Sequence, residues 1–199
     1  MFGSKQTKLQ KDLVILEEMA QQMSGYLRIN ALFGPMGPNR PKLTLGGYLM
    51  REQRLLALKT TLSQAEQDRL LKARQTFEDT VMEWIVATEK KAEQEMEARL
   101  RQWTETVRDL RESVPKYWPY YKTAVESRVM LQTLITMLSN PPFKFNSEIF
   151  DRLQVIDQGF YALWQSDASL FVWDEDWAAA YPAADYEFLY GKPRNLGIK

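Results

Sequence analysis

The stretch that decides the fold is residues 63–113, SQAEQDRLLKARQTFEDTVMEWIVATEKKAEQEMEARLRQWTETVRDLRES. It lies within 67 consecutive residues, Tyr48 to Val114, that contain neither glycine nor proline. Since these two residues are the usual causes of helix breaks and kinks, the stretch predicts one very long helix, from about 63 to 113. Ser63 and Glu66 have the spacing of a capping box, which marks its beginning.

Side chains that face inward recur along this helix at a regular spacing. The positions are Leu70, Ala73, Phe77, Val81, Trp84, Thr88, Ala92, Met96, Leu100, Trp103, Val107, Leu110 and Val114. Twelve steps across 44 residues give about 3.67 residues per turn, the eleven-residue period, which predicts nearly straight or slightly right-handed packing. The stripe thins between Glu89 and Arg99, so we expect this middle part to be exposed or covered by a second copy.

Shorter helices flank the long one. Apolar spacing and helix-capping signals predict them at Thr7–Arg28, Tyr48–Lys59, Tyr120–Ser139 and Ser147–Gln165. No run alternates β-branched residues as a strand does, and after Ser166 the helical pattern gives way to a segment rich in Trp, Tyr and Asp. We therefore expect an all-α fold: an elongated bundle of four to five helices built on the long helix, with an irregular, aromatic-rich C-terminal segment.

Two domains follow from this division. Residues 1–165 form the predicted helical bundle, and residues 166–199 form the irregular aromatic and acidic C-terminal segment. Disordered segments are poor in aromatic residues because they cannot bury enough apolar surface to offset chain entropy. We therefore expect the C-terminal segment to be ordered and packed on the bundle.

The chain of 199 residues contains no cysteine and no histidine. This excludes disulfides, thiol nucleophiles, Ser-His-Asp triads and zinc or haem sites ligated by either residue. It also removes the side chain most often used for acid–base catalysis at neutral pH. We expect a non-catalytic protein with no metal and no cofactor.

The charges balance, with 26 basic and 26 acidic residues. Nothing global therefore steers the chain to nucleic acid or to an anionic membrane. No apolar run approaches the length of a membrane-spanning helix, and the first residues lack the apolar core of a signal peptide. We expect a cytoplasmic protein. Locally, residues 1–60 carry a net charge of +5 and residues 145–190 carry −8, which favours contact between opposite charges within the chain or between subunits.

Arg128 is a candidate binding residue. It lies between Ala124 and Leu131 on the richest apolar stripe of its helix, where a buried guanidinium must be paired. One interpretation is a clamp for a ligand carboxylate or phosphate. The interpretation that we favour is a structural ion pair with an acidic residue such as Asp151 or Asp157, or a side chain that reaches water at the edge of the stripe.

Aromatic residues are the other candidates. Tyr117, Trp118 and Tyr121 lie at a helix junction, and Trp164 and Trp173 belong to a second cluster towards the C-terminus. Together with Arg128, these rings could hold a planar uncharged or cationic ligand. The negative charge of the C-terminal region disfavours nucleic acid. We favour the simpler interpretation, in which the rings anchor the C-terminal segment on the bundle.

The function that these patterns favour is a scaffold, assembly or adaptor role through protein–protein contacts. The other predicted helices are too short to sheathe a helix of about 50 residues, so we expect self-association, first of all as a two-fold dimer. One alternative is a small-molecule binding module that uses the aromatic clusters and Arg128. A second alternative is a histidine-free enzyme that uses carboxylates or Tyr, with or without Mg²⁺. Carboxylates of the long helix have metal-ligand spacing, but we favour a solvated helix surface for them; they are Asp79, Glu83, Glu89, Glu93 and Glu97.

Overall fold

The structure, a computed structural model, describes residues 7–144 and 146–194. Within them the fold is predominantly helical, which confirms the predicted all-α class and the C-terminal segment rich in aromatic residues. The helices are α1 (Lys8–Arg28), α2 (Leu45–Ala57), α3 (Gln64–Glu83), α4 (Ile85–Glu112), α5 (Val114–Tyr117), α6 (Tyr121–Leu138) and α7 (Ser147–Tyr161). Two short strands follow, β1 (Trp164–Phe171) and β2 (Tyr190–Pro193).

The chain forms two compact units, a first unit of Met1–Glu93 and a second unit of Gln94–Lys199. The first contains α1, α2 and α3, the second contains α5, α6, α7 and both strands, and α4 contributes residues to each. The C-terminal segment falls inside the second unit. The predicted division into domains at residues 165 and 166 stays a prediction.

The long helix predicted over 63–113 is divided in two, which corrects the expectation of one uninterrupted helix. The backbone leaves helical geometry at Trp84, with φ −116° and ψ 40°. The amide of Trp84 still donates to the Thr80 carbonyl at 3.0 Å, and the Thr88 amide donates to the Trp84 carbonyl at 2.8 Å. The guanidinium of Arg28 in α1 lies over the Trp84 ring, 4.6 Å from its centroid. This contact joins residues that are far apart in the sequence. Since no glycine or proline lies near Trp84, the local sequence does not indicate the break.

The predicted inward stripe is confirmed. Trp84, at the break, is half-buried, and every other member is buried. Ala92 and Met96, in the middle stretch that we expected to be exposed or covered by a second copy, are 0% exposed within a single chain. The geometric reason for a dimer is therefore wrong, and self-association must rest on other observations.

The two strands correct the expectation that no strand would form. β1 and β2 pair antiparallel, from Trp164 opposite Pro193 to Ser166 opposite Gly191, and resume after an irregularity at Phe171. Six residues of β1 are exposed in succession, so the strand has no alternating burial by which the sequence could reveal it. What defines β1 is its pairing with β2.

The C-terminal segment is held on helices of the second unit by buried rings. Trp177, Tyr181 and Phe188 are buried, and the Tyr121 hydroxyl of α6 donates to the Phe188 carbonyl at 2.7 Å. The Phe188 ring also lies 6.3 Å from that of Trp103 in α4, between ring centroids. Regular structure is sparse in this segment, but its packing is extensive.

Replacing Ser63 with alanine is expected to lower the free energy of unfolding by about 1 kcal/mol. Ser63 caps α3 as predicted, since its hydroxyl accepts from the Glu66 amide and the Glu66 carboxylate accepts from the Ser63 amide at 2.9 Å. Denaturation by urea would measure the loss. Ser113→Ala is the matched control, because Ser113 is the N-cap of α5 without a side-chain capping bond. Equal losses in both variants would contradict the capping role.

Candidate functional site

Three of the predicted site residues, Trp118, Tyr121 and Trp164, meet in one aromatic cluster of the second unit. The Tyr121 ring stacks on that of Trp118 at 5.2 Å and lies 5.3 Å from that of Trp164. Rings of α4, α7 and the C-terminal segment complete the cluster, namely those of Trp103, Phe160 and Phe188. Trp103 was predicted to lie on the inward stripe, but no signal in the sequence connects it with the candidate site.

The polar side-chain atoms of Trp103, Tyr121 and Trp164 in this aromatic cluster are satisfied within the chain. The Trp164 Nε1 donates to the Tyr190 carbonyl at 3.0 Å, and the Trp103 Nε1 donates to Asp157 Oδ1 at 2.7 Å. The Tyr121 hydroxyl is bonded to a backbone carbonyl of the C-terminal segment, as described above. Since Trp103, Tyr121 and Trp164 are also fully or almost fully buried, the cluster has the character of a packed core.

Arg128 of α6 is buried and paired with Asp157 of α7, one of the two partners suggested by the sequence. Its Nη2 donates to Asp157 Oδ2 at 2.9 Å and its Nε donates to Asp157 Oδ1 at 3.3 Å. The Nη1 donates to Gln132 Oε1 at 3.1 Å, and the guanidinium lies 4.5 Å from the centroid of the Phe188 ring. Each of the three nitrogens of the guanidinium donates to a side chain of the same unit, which is the arrangement of a structural ion pair.

The other two predicted residues lie outside this arrangement. Tyr117 is half-buried, and its hydroxyl accepts from the neighbouring Lys116 Nζ at 2.8 Å. Trp173 is buried beside Tyr181, with 5.2 Å between ring centroids. The structure thus joins Arg128, through Asp157 and Phe188, to the aromatic cluster and leaves these two residues apart. A ligand-binding role for the predicted residues stays a prediction.

Two phenols beside the Arg128–Asp157 pair are kept neutral. Burial raises the pKa of Tyr121 well above its usual value. Burial, and then the negative charges of Asp157 and Glu187, raise the pKa of Tyr161 to about 12. Both hydroxyls therefore remain protonated near neutral pH and do not act as bases.

An open groove lies between α4 and α6, on the surface of the second unit. Its volume is about 470 Å³. The walls include Gln102, Thr106 and Asp109 from α4 and Thr123, Ser127 and Met130 from α6. The α4 residues stand at intervals of four and three, next to the buried positions of the inward stripe. This spacing is the only sequence signal of the α4–α6 groove, which sequence analysis missed.

Within residues 7–144 and 146–194, no three acidic side chains are grouped so that they could hold a metal ion. The carboxylates proposed for an enzyme therefore form no metal site in this part of the chain. In the same part of the chain, no helix combines the length and the apolar character needed to cross a membrane.

Comparison with protein families, with curated proteins and with solved structures finds no match to this chain. The geometry of the described residues is therefore the basis on which a function can be argued. That geometry offers two distinct places, the filled aromatic cluster around Tyr121 and the open α4–α6 groove.

Proposed function

We propose that this is a non-catalytic, cytoplasmic protein that works through protein–protein contacts, including contacts with further copies of itself. The α4–α6 groove is the observation that carries the proposal. The predicted aromatic site is filled by its own side chains, whereas the groove is open and runs along two helices. Open grooves between helices are places where a segment of another chain can lie.

The charge of the α4–α6 groove indicates what it would bind. Three carboxylates line it, those of Glu105, Asp109 and Glu126. Its one guanidinium, that of Arg99, is engaged with the buried carboxylate of Glu95 at 3.1 Å. A basic surface would complement this acidic lining, and complementary charge favours association and fixes its orientation.

The chain itself carries such a basic surface. Residues 1–60 have a net charge of +5. Lys8 and Lys11 are exposed in the first turn of α1, and that turn contains no Asp or Glu of its own. Arg51 and Arg54 contribute less to this surface, because both are buried against the Asp12 carboxylate at 3.5 and 3.2 Å. We therefore favour a dimer in which each copy places its first turn of α1 in the α4–α6 groove of the other.

Sedimentation at micromolar concentration is expected to give twice the 23.3 kDa mass of one chain for the wild type. The double variant Glu105→Lys, Asp109→Lys should sediment as a single chain, because like charges would then meet in the groove. Adding Lys8→Glu and Lys11→Glu should restore the dimer, because the charges of the groove and of the first turn of α1 are then both reversed and are again opposite. High salt should weaken the wild-type dimer, since it screens exposed charges.

The matched control for this experiment is Asp151→Lys with Glu175→Lys, which makes the same change in net charge at exposed positions of the second unit outside the groove. It should leave the dimer intact. A wild type that sediments at 23.3 kDa would refute self-association, and equal dissociation in both double variants would refute the role of the groove.

A further inference from the structure

Glu52 of α2 is a carboxylic acid with poor access to water in the first unit. Its side chain is 15% exposed. Oε1 lies 3.5 Å from the Tyr48 hydroxyl one turn earlier in α2. The Tyr48 ring is itself 0% exposed and stacks on Phe77 of α3 at 3.9 Å, so the acid lies beside a closed contact between two helices.

The Tyr48 hydroxyl faces two acceptors. It lies 3.5 Å from Glu52 Oε1 and 3.4 Å from the carbonyl oxygen of Ala73 in α3. Its single proton can serve only one of them when Glu52 is ionised. When Glu52 carries a proton, Glu52 donates to the Tyr48 oxygen and Tyr48 donates to Ala73. Both acceptors are then satisfied, and α2 is tied to α3.

The nearby charges act on Glu52 in opposite directions. Arg74 Nε of α3 lies 3.6 Å from Glu52 Oε1 and 3.0 Å from Glu78 Oε1. The Arg74 guanidinium lowers the pKa of Glu52 and the Glu78 carboxylate raises it, but both side chains are more than 40% exposed, so solvent weakens both effects and burial outweighs them. On the other helix packed against α2, Asp12 of α1 is bonded to Arg54 at 3.2 Å.

We infer that Glu52 is a neutral acid in the folded first unit, and that loss of its proton loosens the contact between α2 and α3. The first unit would thus contain a proton-sensitive joint formed by Glu52, Tyr48 and the Ala73 carbonyl. Its working range is near neutral pH, because burial, as the largest cause, raises the pKa of Glu52 to about 7.

The sign of the effect on stability follows from proton binding. In the unfolded chain Glu52 ionises near its ordinary pKa of 4.5, whereas the folded chain keeps the proton to about pH 7. Stability is therefore full below the unfolded value and falls as pH rises. Between these two values, Glu52 alone would lower the ratio of folded to unfolded protein by up to about tenfold per pH unit, and the fall would level off above the folded pKa.

Two measurements on the full-length protein test this inference. A carbon NMR titration should show the Glu52 carboxyl of the wild type changing protonation near pH 7, with the resonance assigned by its loss in Glu52→Gln. Hydrogen exchange should show protection factors of α2 amides that fall between about pH 5 and pH 7 in the wild type, level off above that, and stay level throughout in Glu52→Gln. Glu83→Gln, at an exposed carboxylate of α3, should behave as the wild type does.

If the Glu52 carboxyl of the wild type titrates with a midpoint near the ordinary pKa of glutamic acid, the inference is overturned by the wild-type measurement alone. A midpoint near 7 with an unchanged pH dependence in Glu52→Gln would overturn the second half of it, because the protonation of Glu52 would then have no effect on the contact between α2 and α3.

Discussion

Replacing Asp157 with alanine is expected to lower the free energy of unfolding by about 3–5 kcal/mol, because it leaves the Arg128 guanidinium buried without a counter-charge. The two side chains of this pair are only 7% and 14% exposed, so water cannot substitute for the carboxylate. The same change leaves the Trp103 indole N–H without its acceptor. Urea denaturation followed by tryptophan fluorescence would measure the loss.

Two further variants give this prediction its controls. Asp151→Ala removes an exposed carboxylate from the same helix and should change stability by less than about 0.5 kcal/mol. The double variant Arg128→Met, Asp157→Leu removes both charges together and should recover the part of the loss that comes from the unpaired charge, while the Trp103 N–H remains without its acceptor. A loss below about 1 kcal/mol in Asp157→Ala would show that Arg128 reaches solvent.

Gly191→Ala is expected to lower the free energy of unfolding by a similar amount, about 3–5 kcal/mol. Gly191 has φ +134°, a backbone conformation that residues with a side chain rarely adopt. A Cβ atom there would lie 2.2 Å from the Gln165 carbonyl oxygen and 2.8 Å from the Trp164 Nε1. One of these atoms is backbone of the paired strand, so the clash cannot be relieved by rotating a side chain.

The matched control is Gly25→Ala, in the last turn of α1. No atom lies within 4 Å of the Cβ that it would add, so the change should raise stability by up to about 1 kcal/mol through helix propensity. Thermal unfolding by circular dichroism would compare the two variants. If Gly191→Ala melts as the wild type does, the strand pairing at residue 165 does not hold this backbone in place.

The helices and their buried faces could be predicted because helical periodicity is a local property of the sequence. Positions such as Leu100 and Trp103 are buried as the 3.67-residue spacing requires. The break at Trp84 could not be predicted, because the contact that accompanies it is with Arg28, far away in the chain. The pairing of β1 with β2 was missed for the same reason, since nothing in either strand alone specifies its partner.

The candidate site was predictable in part. A guanidinium on an apolar stripe had to be paired, and this reasoning led from Arg128 to Asp157 before any contact was known. That Trp103 shares the Asp157 carboxylate could not be predicted, because Trp103 and Asp157 are 54 positions apart. The α4–α6 groove was not predicted, because its walls belong to two helices and no local pattern in the sequence indicates that these helices are neighbours.

The position of the division within α4 has a consequence for the first unit. α4 runs from Ile85 to Glu112, and only its residues 85–93 belong to the first unit. Isolated helices shorter than about 12–15 residues are only marginally stable in water. Residues 85–93 therefore depend on tertiary packing, and not on helix propensity alone, for their helical structure.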